Sequence, residues 1–230
     1  MKRFSIFAFA GLLWLPPTLP AAEKPNIVLF LADDLGWTGL GSFGSDLYET
    51  PNLDRLAATG LKFTDAYAAC TVCSPSRAAI LTGEYPARLH LTSFIPGQDR
   101  PFAKLTIPDW TKGLRPEKIT LAESLNDVGY RTIHVGKWHL NFPGEPEDPT
   151  QHGFDYSSDK PPGTKGYFLT KEAQKQLGTD SNYLTDHLAQ TAVKQIERVG
   201  DDPFFLYFAV HVPHTPIQGR EDLVADFSEK

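Results

Sequence analysis

Four short stretches carry side chains capable of chemistry. The first is Cys73-Ser74-Pro75-Ser76-Arg77, which continues as Ala78-Ala79-Ile80-Leu81-Thr82-Gly83. Pro75 suits a first helical turn, where its missing N–H has no partner to lose. Gly83 suits the position just past the helix end. Arg77, four residues on, lies one turn from Cys73. The stretch therefore predicts a potential nucleophile at a positive helix end beside a guanidinium, a place suited to anions. The second is Asp33-Asp34, directly after an apolar run. Adjacent carboxylates repel unless a cation lies between them, and paired oxygen ligands suit a hard ion such as Ca²⁺ or Mg²⁺. In isolation the same pair also reads as a solvated turn. The third is Lys137-Trp138-His139, where alternation points Lys137 and His139 the same way, as two donors for one anion; a triplet of this kind standing alone also fits an exposed surface. The fourth is His211-Val212-Pro213-His214-Thr215-Pro216. Its prolines forbid a helix-borne zinc pair.

The elements that must position these groups are legible around them. Residues 26–32 and 203–210 are continuous apolar runs, which predict strands buried on both faces of a parallel sheet. Tyr130 to Val135 read as a further strand, ended by Gly136, which allows a tight turn. Thr50 and Pro51 open a helix with Leu53, Leu56 and Ala57 on its buried face and Gly60 at its end. An extended segment over 61–68 leads to Cys73. Thr120 and Glu123 form a capping box for a helix running to Val128. Ser181 to Val199 form an amphipathic helix with Leu184, Leu188, Ala192 and Ile196 in its stripe, widened by Val193 and Val199. Residues 91–118 and 141–168 read as loops. The alternation predicts an α/β fold with a mostly parallel central sheet and helices on both faces. Each candidate group falls where a strand ends, the edge at which sites form in such sheets.

Charge and composition narrow the function. The formal net charge of −6 argues against a general nucleic-acid partner, and an anionic substrate requires a local reversal of sign. Lys2 and Arg3, the apolar stretch Phe4 to Leu15, Pro16-Pro17 and Ala21-Ala22 read as a signal peptide over 1–22, giving a secreted or periplasmic protein without stable membrane insertion. Cys70 and Cys73 are the two cysteines. Their spacing admits a redox pair, while a structural zinc would need a second pair.

Two of these stretches match a known family. CSPSRAAILTG resembles the sulfatase motif, and GYRTIHVGKWH is similar to the second sulfatase signature. TPNLDRLAATG, Gln151-His152-Gly153-Phe154-Asp155 and the His211–Pro216 segment resemble the family more weakly. The resemblance implies an alkaline-phosphatase-like fold and an arylsulfatase-like, formylglycine-dependent hydrolase of sulfate esters, with 25–230 as the N-terminal portion of the catalytic domain. It implies that a formylglycine-generating enzyme converts Cys73 to 3-oxoalanine, the nucleophile. Arg77 would hold it, and Asp33, Asp34 and residue 73 would bind Ca²⁺, with Mg²⁺ as the other option. Lys137, His139 and His214 would contact the sulfate, and His214 would protonate the leaving oxygen; His211 matches less well. His134 and His152 receive no catalytic role. The substrate would be a sulfated carbohydrate or an aryl sulfate. The family's Asp-Asn-Gly and a later Lys are not found between Arg220 and Lys230, so the C-terminal part of the domain is expected to be missing. Glu84 stands where many relatives have Arg. Two alternatives stay open: a phosphonate or phosphodiester hydrolase of the same superfamily, and an inactive or non-enzymatic binding remnant.

Overall fold

The computed structural model describes residues 24–98, 100–146 and 148–228; the expected signal peptide lies outside them. Among the described residues no helix is long and apolar enough to cross a membrane. Strand β1 is Ile27–Ala32, β2 is Arg131–Gly136 and β3 is Tyr156–Ser158. Two-residue strands β4 (Thr164–Lys165) and β5 (Phe168–Leu169) form an antiparallel hairpin, and β6 is Phe204–Val210. The main sheet runs β1-β6-β2-β3, with all neighbours parallel. Register places Ala32 beside Val210 and Gly136 beside Ala209, so β1, β6 and β2 end together.

Helices cover both faces of the sheet, as the alternation predicts. Helix α1 is Pro51–Thr59, α2 is Cys73–Thr82, α3 is Pro86–Leu89 and α4 is Leu121–Asn126. Later come α5 (Lys171–Leu177), α6 (Leu184–Val199) and α7 (Glu221–Ser228). One core joins Ala78 and Leu81 of α2 and Ala122 of α4 to Phe205, Tyr207 and Ala209. The other joins Leu184, Leu188 and Ala192 of α6 to Ile133, Val135, Phe204 and Leu206. Odd and even positions of β6 thus feed opposite layers, and each buried Leu or Phe contributes about 1.5–3 kcal/mol.

Several elements differ from the sequence reading. Strand β1 lies at the sheet edge, and Val28 and Phe30 are exposed; no described element covers that face. Helix α1 buries no residue, and Leu56 points to solvent. It is held instead by polar contacts: Asp54 accepts from the Ser42 N–H and from Thr50 Oγ1. The Thr120–Glu123 capping box is present, but α4 ends at Asn126. The start of α6 shifts to Leu184 because Tyr183 bridges to Phe168, and Val193 is exposed. Strand β3 lies inside the stretch read as loop, because three residues with two serines give no apolar period. The 91–118 stretch is largely a loop, as read, but Leu91, Ile95, Trp110 and Leu114 enter the core.

Gly136 sits at φ +110, and a Cβ there would lie 1.9 Å from the Ala209 carbonyl oxygen. Gly136→Ala is expected to cost about 3 kcal/mol or more, measured by urea unfolding; a loss under 1 kcal/mol would contradict this packing. His134 is fully buried, with Nδ1 2.9 Å from Ser157 Oγ and the Trp138, Phe154 and Tyr207 rings around it. Burial pushes its pKa down to about 4. The unfolded chain then binds a proton that the folded one refuses between pH 6.5 and 4, so stability is full above pH 6.5 and falls as pH drops through that window, by about 3 kcal/mol. Urea midpoints measured across it should show the slope in the native chain and a flatter slope in His134→Gln. Equal slopes would remove His134 as the cause.

Candidate active site

Asp33 follows β1 immediately, and its carboxylate is buried. Arg77 Nη2 lies 3.1 Å from Oδ1, and Lys137 Nζ lies 2.5 Å from Oδ2. Burial alone would raise the carboxyl's pKa. The hydrogen bond from Lys137 and the charges of Arg77 and Lys137 outweigh it and hold the group below the usual carboxylate range. The three residues come from the end of β1, from α2 and from the turn after β2.

Arg77 is as buried as its carboxylate partner. Its Nη1 also donates to the Lys137 carbonyl at 2.8 Å and to the Tyr207 hydroxyl at 3.3 Å. The predicted helix start is in place: Cys73 is the first residue of α2, Val72 is its N-cap, and Gly83 closes it at φ +69. Ser76 Oγ donates to the Cys70 carbonyl at 2.7 Å, fixing the approach to the helix. Cys70 and Cys73 are separate thiols, each partly buried. Asp33, Asp34, Cys73 and Arg77 line one cavity of about 510 Å³.

Lys137 joins that cavity through Asp33. His214 meets its rim: Nε2 stands 3.6 Å from Asp34 Oδ2, and Nδ1 donates to the Thr215 carbonyl at 2.7 Å. Asp34 itself is largely exposed and adopts φ +61. His139 reaches the site less directly. Its Nε2 donates to the Ile95 carbonyl at 2.6 Å, and the Ile95 N–H donates to Ser74 Oγ, next to Cys73. The 91–118 loop thus anchors one candidate donor. His211 is buried, with Nε2 2.5 Å from Asp159 Oδ1; burial lowers its pKa against the pull of that carboxylate. Glu84 pairs with Lys118 at 2.8 Å.

Four neighbours escaped the sequence reading: Tyr207, Asp159, Lys160 and Tyr167. Tyr207 had a signal, as the one hydroxyl in the apolar run PFFLYFAV. Tyr167 Oη donates to the carbonyls of His211 (3.1 Å) and His214 (2.7 Å), tying the hairpin to the His214 turn.

Asp33 and Asp34 offer carboxylate oxygens to one cavity, which suits a hard divalent ion. Asp33 is already engaged by two cations. Among the described residues no group of three or more His, Cys, Asp or Glu is placed to hold a metal. These residues do not complete a metal site by themselves.

The arrangement is a partly enclosed cavity with a thiol at a helix start and Asp33, Asp34 and Arg77 in its lining. The model of the family described as Sulfatase matches residues 25–230. The chain belongs to the sulfatase family. It is 39% identical over 230 residues to arylsulfatase A of Bos taurus, covering 86% of this chain and 43% of that protein. It is 37% identical over 218 residues to N-acetylgalactosamine-6-sulfatase of Homo sapiens, covering 86% and 41%. A crystal structure of Ps i-CgsB in complex with k-i-k-neocarrahexaose matches with a TM-score of 0.68 and 30% identity, over 90% of this chain and 49% of that one. The sulfatase chain thus spans less than half the length of these relatives, and the mostly parallel, helix-flanked sheet is their fold. The sulfatase family generally uses a formylglycine and a divalent metal.

Breaking the Asp33 cluster should be costly, because it leaves two buried or half-buried cations facing each other. Asp33→Ala is expected to lose about 3–5 kcal/mol, and Tyr207→Phe about 1–2 kcal/mol. Chemical denaturation of both variants checks the order; a larger loss for Tyr207→Phe would overturn it.

Proposed function

We propose that this chain carries the nucleophile side of an active site that hydrolyses sulfate esters, with residue 73 as nucleophile after conversion of its thiol to formylglycine. The observation that supports the reading is the convergence of Asp33, Cys73 and Arg77 at one cavity, with Lys137 bonded to Asp33 there. The converted residue supplies a hydrated aldehyde, whose hydroxyl displaces an alcohol from sulfur. The chain's own residues do the rest. Arg77, held by Asp33 and Tyr207, keeps a fixed positive charge beside residue 73. Lys137 presents a second cation at the same carboxylate. Lys137, His139 and His214 are the donors for sulfate oxygens, stabilising charge as it builds on the transferring group. His214, at the rim and partly exposed, is the candidate acid for the departing oxygen.

Asp33 and Asp34 are the candidate ligands of the family's divalent ion, with Ca²⁺ favoured and Mg²⁺ as the other option. A sulfated carbohydrate or an aryl sulfate is the substrate class. The maturation partner is a formylglycine-generating enzyme. Residues 1–22 act as the signal peptide and 25–230 as the N-terminal portion of the catalytic domain, with secretion or export to the periplasm.

Two measurements test this. In a host with the converting enzyme, the peptide holding residue 73 should be lighter by about 18 Da than its Cys form, the balance of losing thiol sulfur for an aldehyde oxygen. The full gene product should then release sulfate from 4-nitrophenyl sulfate, and Cys73→Ala should lower that rate by about 10³-fold or more. Faster turnover of a 4-nitrophenyl phosphodiester than of the sulfate would favour phosphoryl chemistry instead. An unconverted thiol with no turnover would leave a binding remnant.

A further inference from the structure

Lys160 is a cation that the proposed chemistry does not use. It lies two residues past β3, at the same end of the sheet as Lys137 after β2 and His211 after β6. The strands are parallel and in register, so these three ends form one rim. The acid next to Lys160 in sequence is already engaged: Asp159 Oδ1 lies 2.5 Å from His211 Nε2. Among the described residues Lys160 has no ion pair. Its ammonium instead stands 5.2 Å from the centroid of the Tyr167 ring. That ring is buried, and its hydroxyl holds the carbonyls of His211 and His214. Lys160 is thus tied by one rigid side chain to the turn carrying His214, while its charge stays at the surface. Its pKa is lowered, first by burial and also by the charge of Lys137 nearby, with Asp159 opposing.

A cation so placed has a physical consequence. Arg77 and Lys137 share one buried carboxylate, so their charge is partly compensated. Lys160 adds a further cation on this rim, at the surface and beside Asp159, whose carboxylate is held by His211. We propose that Lys160 forms an anion subsite selecting a sulfated sugar that carries a second anionic group, either sulfate or carboxylate. This rests on the sulfate-ester reading of the Cys73 cavity and names the substrate class for it.

The test is calorimetric binding to the full chain made in a host without the converting enzyme, so that turnover does not intrude. The probes are N-acetylgalactosamine 4,6-disulfate and N-acetylgalactosamine 6-sulfate, chosen because a relative is an N-acetylgalactosamine-6-sulfatase. The native chain should bind the disulfate about 10-fold more tightly than the monosulfate at low salt, a difference typical of one added charge contact. Lys160→Gln should reduce that preference to twofold or less, and Lys160→Arg should keep it. Weaker binding of both sugars by the same factor in Lys160→Gln would mark a merely structural role and overturn the subsite. So would a native chain without preference. Sulfate release from 4-nitrophenyl sulfate by the converted chain, measured separately, reports on the catalytic reading alone: turnover without charge preference sinks only the Lys160 assignment, and charge preference without turnover sinks only the catalytic one.

Discussion

The buried Asp33 carboxylate between Arg77 and Lys137 is the interaction on which the rest of this site depends. A carboxylate with so little exposure has to be paired, and here it is paired twice. Each partner brings a separate element with it. Arg77 fixes the roll of α2 about its axis, and with it the direction of the residue 73 side chain one turn earlier. Lys137 fixes the turn that leaves β2. Its backbone is fixed as well, since its N–H donates to Ala209 and its carbonyl accepts from Arg77. The same ion cluster therefore sets both the position of residue 73 and that of Lys137.

Sheet topology explains why these groups meet. Every neighbouring pair in the main sheet is parallel, so all four strands deliver their carboxyl ends to one edge. Asp33, Lys137, Asp159 and His211 are the first or second residues past those ends. The close approach of β2 and β6 needs Gly136, since any side chain there would strike Ala209. A glycine that looks like punctuation in the sequence is thus a condition for bringing Lys137 to Asp33.

Groups that announce themselves locally were legible in the sequence. Cys73, Arg77 and Gly83 follow the spacing of a capped helix, and β6 is a central strand whose apolar run has no other physical use. The Thr120–Glu123 box was legible for the same reason, because both partners lie within one turn. What stayed hidden depends on partners distant in sequence. Strand β3 is recognisable only through its pairing with β2. The apolar run of β1 predicts burial on two faces, yet Val28 and Phe30 are exposed, because run length reports hydrophobicity and not what lies above it. Likewise Leu53, Leu56 and Ala57 have helical spacing, but α1 is held by Asp54, Thr50 and Ser42 rather than by its apolar side. The Asp33-Asp34 pair was legible as two carboxylates; that Asp33 is claimed by Arg77 and Lys137 follows only from the fold.

The two histidines after β6 show how neighbouring residues of one type are driven to different tasks. His211 is buried, bonded to Asp159, and its carbonyl accepts from Tyr167. Burial opposes its protonation. His214, three residues on, lies at the rim with one ring nitrogen committed to Thr215 and the other turned toward Asp34. A proton donor to a departing group has to be reachable and free to exchange protons with water. His214 meets that requirement, whereas His211 is built to hold β3 and β6 together. The sequence motif alone ranks the two by resemblance. The fold separates them by solvent access, which is the property on which acid chemistry turns.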